Sequence, residues 1–206
     1  MKTKVSDYHH GDLRGALLDA AREALEQNGA SAVSLRELAR RVGVSHAAPY
    51  RHFANREELL MAVAAEGFNE LARRLRAEEG QDGTLMGMGQ AYVGFATSNP
   101  SLYKLMFSPE LDRKKPELLA DAASAAFGLL QSQTAATDEE QSGTLAAWAL
   151  VHGLSQLLID RLLPQELLKQ DQLVALIESV LGHLQVEERS KPDRLGHSRL
   201  KSGPGR

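Results

Sequence analysis

Ser34–Phe53 reads SLRELARRVGVSHAAPYRHF. Ser34-x-x-Glu37 has the spacing of a capping box, in which a serine hydroxyl accepts from an amide three residues on. Leu35, Leu38, Ala39 and Val42 recur behind it at helical spacing. Gly43 then stands where a chain leaving a helix enters the left-handed region that a Cβ disfavours. Ser45 is placed to cap a second short helix reaching about His52. Two short helices joined by Val42-Gly43-Val44-Ser45 make a helix-turn-helix, with Leu38, Val42 and Val44 as the small core that fixes their angle.

Such a pair presents its second helix to the DNA major groove, whose width admits one helix. The first-turn amides under Ser34 can bind a backbone phosphate, with Arg36 and Arg41 close enough to add charge. On the second helix, Ser45, His46, Ala47, Tyr50, Arg51 and His52 are the DNA-binding candidates. His46 and Arg51 are the best base-edge readers, Ala47 and Ala48 permit close approach, and Tyr50 and His52 suit phosphates. Arg56, at the start of the next helix, is a further phosphate candidate. Pro49 disturbs this scheme, because its missing N–H and its ring predict a helix that begins late or is distorted.

Outward from this unit the pattern is helical almost throughout. Leu13, Leu17, Ala20, Ala21, Ala24 and Leu25 predict a helix stopped by Asn28-Gly29. Asn55 followed by Glu57 and Glu58 opens a long helix carrying Leu60, Val63, Ala64, Leu71 and Leu75. Gly80–Gly83 reads as a linker. Further helices are expected over Thr84–Ser98, Ser101–Phe107, Pro116–Thr134, from the capping box Thr137-x-x-Glu140 to Leu163, and over Gln170–Gln185. Residues 187–206, charged and rich in Gly, Pro and Ser, are expected to be disordered. The expectation is an all-α protein of about nine helices. Residues 1–56 form the DNA-binding domain, 57–186 a helical effector-binding and dimerisation domain, and 187–206 a tail.

Composition narrows the function. The 206 residues are 43% hydrophobic and 25% charged, an ordinary globular balance. No cysteine is present, which excludes disulfides, thiolate metal sites and cysteine nucleophiles. Met1–Asp12 is polar, without the apolar core of a signal peptide, and no stretch approaches the roughly 18 apolar residues of a membrane span. A cytoplasmic location without membrane contact is therefore expected. The net charge is −3, yet residues 1–56 hold nine Lys/Arg against six Asp/Glu. A slightly basic head on an acidic body confines the footprint for phosphate to one end.

The run from Tyr8 to about Leu75 resembles the DNA-binding region of the TetR/AcrR family of bacterial regulators. The resemblance is carried by LRELARRVGVSHAAPYRHFANREEL, with its Gly43-Val44-Ser45 turn and Tyr50-x-His52-Phe53. The opening YHHGDLRGALLDAA and Trp148-x-x-x-His152-Gly153 resemble the subgroup whose C-terminal domain carries a Trp-His-Gly signature. Pro49 departs from the aliphatic residue more usual there. The resemblance implies a homodimer on double-stranded, palindromic operator DNA. It also implies that the last two long helices pair with their symmetry mates, with Gly153, Leu157, Leu173, Ile177, Val180 and Leu184 as interface candidates. A small apolar effector would change the separation of the two heads and relieve repression.

The residues add two open questions to that picture. Phe68, Met88, Tyr92, Phe95, Tyr103, Met106, Phe107, Phe127, Trp148 and His152 either line an effector pocket or pack as core. His152 is a satisfied core histidine beside Trp148 or a ligand contact. Gly153 inside a helix costs roughly 1 kcal/mol relative to Ala, for which a close helix crossing is one reason.

Catalysis finds no support. His9, His10 and Asp12 do not converge, since adjacent helical residues point about 100° apart. His152 and Asp160 stand too far apart for a dyad, and no phosphate-loop or dinucleotide motif occurs. No cofactor and no metal are expected. The rival reading is a ligand-independent regulator or architectural DNA-binding protein, whose head would look the same.

Overall fold

The computed structural model describes residues 12–79, 85–109, 111, 117–134, 140–168 and 170–182. These residues form eight α-helices and three short 3-10 segments, with no strand among them. In chain order the helices are α1 Leu13–Asn28, α2 Leu35–Val42, α3 Arg56–Glu79, α4 Leu85–Ser98, α5 Pro100–Met106, α6 Glu117–Thr134, α7 Glu140–Ile159 and α8 Gln170–Gly182. The expected linker, the Thr137 capping residue, His9, His10, Leu184 and the tail lie outside the described residues.

α3 is the axis of the molecule. It packs on α1 at the DNA-binding end and on α4, α5 and α6 beyond it, while α7 lies on α4 and α6 and α8 on α4. One continuous apolar core runs from Leu17 and Leu38 through Phe53, Leu71 and Phe95 to Leu181. Gly67 lets α5 approach α3, for a Cβ there would stand 2.7 Å from Met106 Sδ.

α2 ends as its sequence predicts. Gly43 has φ +75°, the Gly43 N–H donates to Arg40 O, and the Val44 N–H donates to Ala39 O at 2.9 Å. Nothing lies within 4 Å of a Cβ built on Gly43, so the cost of a side chain there is backbone strain alone. Gly43→Ala is therefore expected to lower the unfolding free energy by about 1–2 kcal/mol in denaturant titrations. An unchanged midpoint would show that the turn relaxes to another conformation.

Two expectations need correction. α7 stops at Ile159 rather than Leu163, because Arg161 adopts φ 54°. Its N–H donates to Leu158 O and the Leu162 N–H to Leu157 O, which closes the helix before Pro164 is reached. Ser142–Ile159 is also an 18-residue window of mean hydropathy 1.2, long and apolar enough to cross a membrane by length and composition alone. Small and uncharged polar residues, including the buried Thr144 and Ser155, had hidden that run among the obvious aliphatics. Only 28% of the window is buried within the chain.

Candidate nucleic-acid interface and interior cavity

The helix-turn-helix is built from its caps. Ser34 Oγ accepts from the Glu37 N–H at 3.2 Å, fixing the start of α2. Glu37 in turn receives Arg40 through two hydrogen bonds of 2.7 and 2.9 Å, and Arg41 at 3.4 Å. The Arg40 hydrogen bonds hold its carboxyl far below the usual range, at about 2. Two of the three arginines on α2 are thus tied to one carboxylate. Arg36 is exposed, with no partner among the described residues.

The second helix of the motif departs from expectation. The chain makes a turn in which the Ala48 N–H donates to Ser45 O at 3.0 Å, then a 3-10 segment over Ala48–Arg51. Pro49 is the cause, since without an N–H it cannot make the α-helical bond back to Ser45. Its ring is buried, and its carbonyl accepts from the N–H groups of His52 at 2.9 Å and Phe53 at 3.0 Å. Phe53 is also buried, with the Arg14 guanidinium 5.4 Å from its ring centroid. Pro49 and Phe53 therefore anchor the segment, and Ser45, His46, Ala47, Tyr50, Arg51 and His52 are all exposed. Tyr50 shows 57% of its surface, an unusual exposure for a large ring.

Arg56, the further phosphate candidate, binds two backbone carbonyls of its own chain. Its Nε donates to Val33 O at 2.9 Å and a terminal nitrogen to Ala30 O at 2.5 Å. Asn55 Oδ1 accepts from the Glu58 N–H, and Glu58 accepts from the Ala54 N–H, which caps α3. The first turn of α3 is thereby fastened to the segment that precedes α2. Sequence gave no sign of these carbonyls, because the 3-10 turn over Ala30–Ala32 that presents them has no motif of its own.

A cavity of about 610 Å³ lies among α3, α4, α5, α6 and α7. Seven of the expected residues line it: Phe68, Met88, Tyr92, Met106, Phe107, Phe127 and Trp148. Phe95, Tyr103 and His152 do not. Phe95 is buried under the Arg74 guanidinium, 5.3 Å from its ring centroid. Tyr103 and His152 sit behind Tyr92 as a polar cluster. The Tyr103 hydroxyl is 2.7 Å from His152 Nδ1, and the Tyr92 hydroxyl is 3.2 Å from the same nitrogen and 3.3 Å from the Tyr103 hydroxyl. Burial lowers the imidazole pKa and raises both phenol pKa values, so the cluster is neutral. Trp148 stands 5.6 Å from the imidazole, ring centroid to ring centroid. Sequence reasoning missed the aliphatic wall of Leu71, Leu75, Leu119 and Leu130. A leucine facing a void has the same helical spacing as one facing core.

The interface candidates divide as well. Gly153 has no atom of the described residues within 4 Å of a built Cβ, so no close crossing among them explains it. Leu157 is 40% exposed. Ile177 and Val180 are partly buried against α4 and α7 of the same chain, which turns them at least partly inward. Leu173 lies on α8.

With this geometry in view, residues 17–63 match the family model described as bacterial regulatory proteins, tetR family. Residues 85–194, which include Trp148, His152 and Gly153, match the tetracyclin repressor-like C-terminal domain. The chain belongs to the TetR family. It is a DNA-binding transcriptional regulator, as TetR-family proteins are. The HTH-type transcriptional repressor Rv1474c of Mycobacterium tuberculosis is 30% identical over 133 residues, 63% of this chain and 71% of that protein. YobS of Bacillus subtilis, an uncharacterized HTH-type transcriptional regulator, is 26% identical over 148 residues, 69% of this chain and 76% of its own. A solved structure of a protein with unknown function from Rhodococcus sp. RHA1 has a TM-score of 0.70 at 29% identity, covering 86% of this chain and 98% of that one. TetR-family regulators dimerise, bind DNA and bind small molecules.

Proposed function

We propose that this TetR-family chain is a cytoplasmic homodimeric repressor, released from a palindromic operator by a small apolar effector and without enzymatic activity. The observation that carries the DNA-binding part is the division of Ser45–Phe53. Pro49 and Phe53 are buried as anchors, and every candidate reader between them faces outward. Arg51 and His46 read base edges. Ser45, Tyr50 and His52 reach phosphates, and Ala47 sits close to the groove floor. The Ser34-capped amides of α2, with Arg36, hold a further phosphate. Arg56 acts as a positioning residue through its two carbonyls.

One head makes too few base contacts for operator specificity, and two-fold pairing sets two of them about 34–36 Å apart. The apolar face that α7 leaves uncovered supports pairing through α7 and α8. The cavity supports an effector and disfavours the ligand-independent alternative, which has no use for it. α3 reaches both parts, carrying Phe68, Leu71 and Leu75 on the cavity wall and Arg56 against the segment that precedes α2.

A randomised-duplex selection followed by binding titrations tests this reading. Arg51→Ala is expected to lose about 1–3 kcal/mol for the selected site and to relax one base position. Arg36→Ala is expected to weaken all sequences alike and to reduce the salt slope by about 1. Equal loss across unrelated duplexes for Arg51→Ala would remove it from base reading, and no selected sequence at all would overturn the operator-bound repressor.

A further inference from the structure

The lining of the cavity restricts what it can hold. No Asp, Glu, Lys, Arg or His is among the described residues that line it. On α3, beside the lining residues Phe68 and Leu71, Glu70 is engaged by Arg22 at 2.5 Å and Arg74 at 2.7 Å, and Arg74 covers Phe95. The polar cluster behind Tyr92 is neutral and bonded within itself. A charged group drawn into the interior would therefore lose its water and meet no counter-ion among the described lining residues.

Shape restricts it further. Phe107 lies edge-on to Phe68, with centroids 5.3 Å apart, and Phe127 lies edge-on to Trp148 at 6.0 Å. These four rings line the cavity together with leucines of α3 and α6. Ser124 and Gln131 of α6 are the polar lining residues that are also exposed to solvent. About 610 Å³ is mid-range for sites that enclose drug-sized molecules.

We infer that the cavity binds an uncharged, largely apolar molecule with a flat aromatic part, its few polar atoms toward α6, and rejects ions of the same shape in either sign. This rests on the cavity's being a ligand site, as the effector reading above has it, and names the class of ligand. Aromatic walls alone would also suit a quaternary ammonium. Among the described residues no carboxylate lines the cavity, and this decides for the neutral molecule.

The test uses the full chain and three probes on one ring system. N-phenyl-naphthylamine is neutral. Anilinonaphthalene sulfonate adds an anion beside the bridging nitrogen, so the rings cannot be buried without it. A trimethylammonium-substituted N-phenyl-naphthylamine supplies the cation. Fluorescence or calorimetric titration is expected to show one saturable site per chain for the neutral probe, with a raised Tm. Both ions should bind about a hundredfold more weakly or not at all. Ala123→Phe, which fills the cavity, should abolish neutral-probe binding; Ser124→Trp at the exposed mouth does the same job if that variant fails to fold. Ion binding as tight as the neutral probe and lost in the same variants would overturn the inference, as would no binding of the neutral probe. DNA affinity is read separately. A neutral probe that binds without weakening DNA binding supports the ligand class and overturns effector release. An ion that binds in the cavity and releases DNA does the reverse.

Discussion

Phe53→Ala is expected to lower the unfolding free energy by about 3–5 kcal/mol and to abolish specific DNA binding. The ring is 1% exposed and belongs to the core that joins α1, α2 and α3. Removing it leaves a void bounded by helices that cannot collapse inward, because α3 is held at Arg56 and α1 by Arg22. The DNA effect follows from the short segment before it. A 3-10 turn of four residues has little stability of its own. Pro49 and Phe53 are what hold Tyr50, Arg51 and His52 at a fixed height above the surface. Phe53→Leu keeps most of the volume and should cost less than about 1.5 kcal/mol. Denaturant titration with parallel binding assays distinguishes the two variants. A loss below 1 kcal/mol for Phe53→Ala would mean that the segment is held by something other than this anchor.

Leu157→Asp is expected to convert the dimer to a monomer in sedimentation velocity and to remove operator binding at concentrations where the parent protein saturates. Leu145 is 55% exposed and Leu157 40%, with exposed Ala146 and Ala149 between them on α7. An isologous interface meets each substitution twice. Two carboxylates would be buried without partners, each costing several kcal/mol. Leu157→Met keeps the face apolar and should leave the dimer intact. A dimeric Leu157→Asp protein would place the two-fold contact on another surface.

Local signals told most of the head in advance, and long-range ones did not. Ser34, Gly43 and Asn55 mark helix ends by chemistry confined to four or five residues, and each end lies where those residues put it. Pro49 was readable as a disturbance; only its burial shows that the disturbance is also an anchor. The carbonyl partners of Arg56 were not legible because they stand 23 and 26 residues away. The aromatic side of the cavity was visible in composition, yet periodicity could not tell Phe68, facing the void, from Phe95, facing Arg74. His152 met the same limit, for its tyrosine partners lie 49 and 60 residues off.

α5 is capped by a residue of another helix. Glu26 on α1 accepts from the Ser101 N–H at 3.2 Å and the Leu102 N–H at 2.9 Å, and Arg22 donates to Asn99 Oδ1 at 2.9 Å. The opposite end of α5 carries Met106, which forms part of the cavity wall. Any push on that end must either drag Glu26 along or strip two amides of their acceptor. α5 thus joins the first helix of the head, through Glu26, to the wall of the cavity, through Met106.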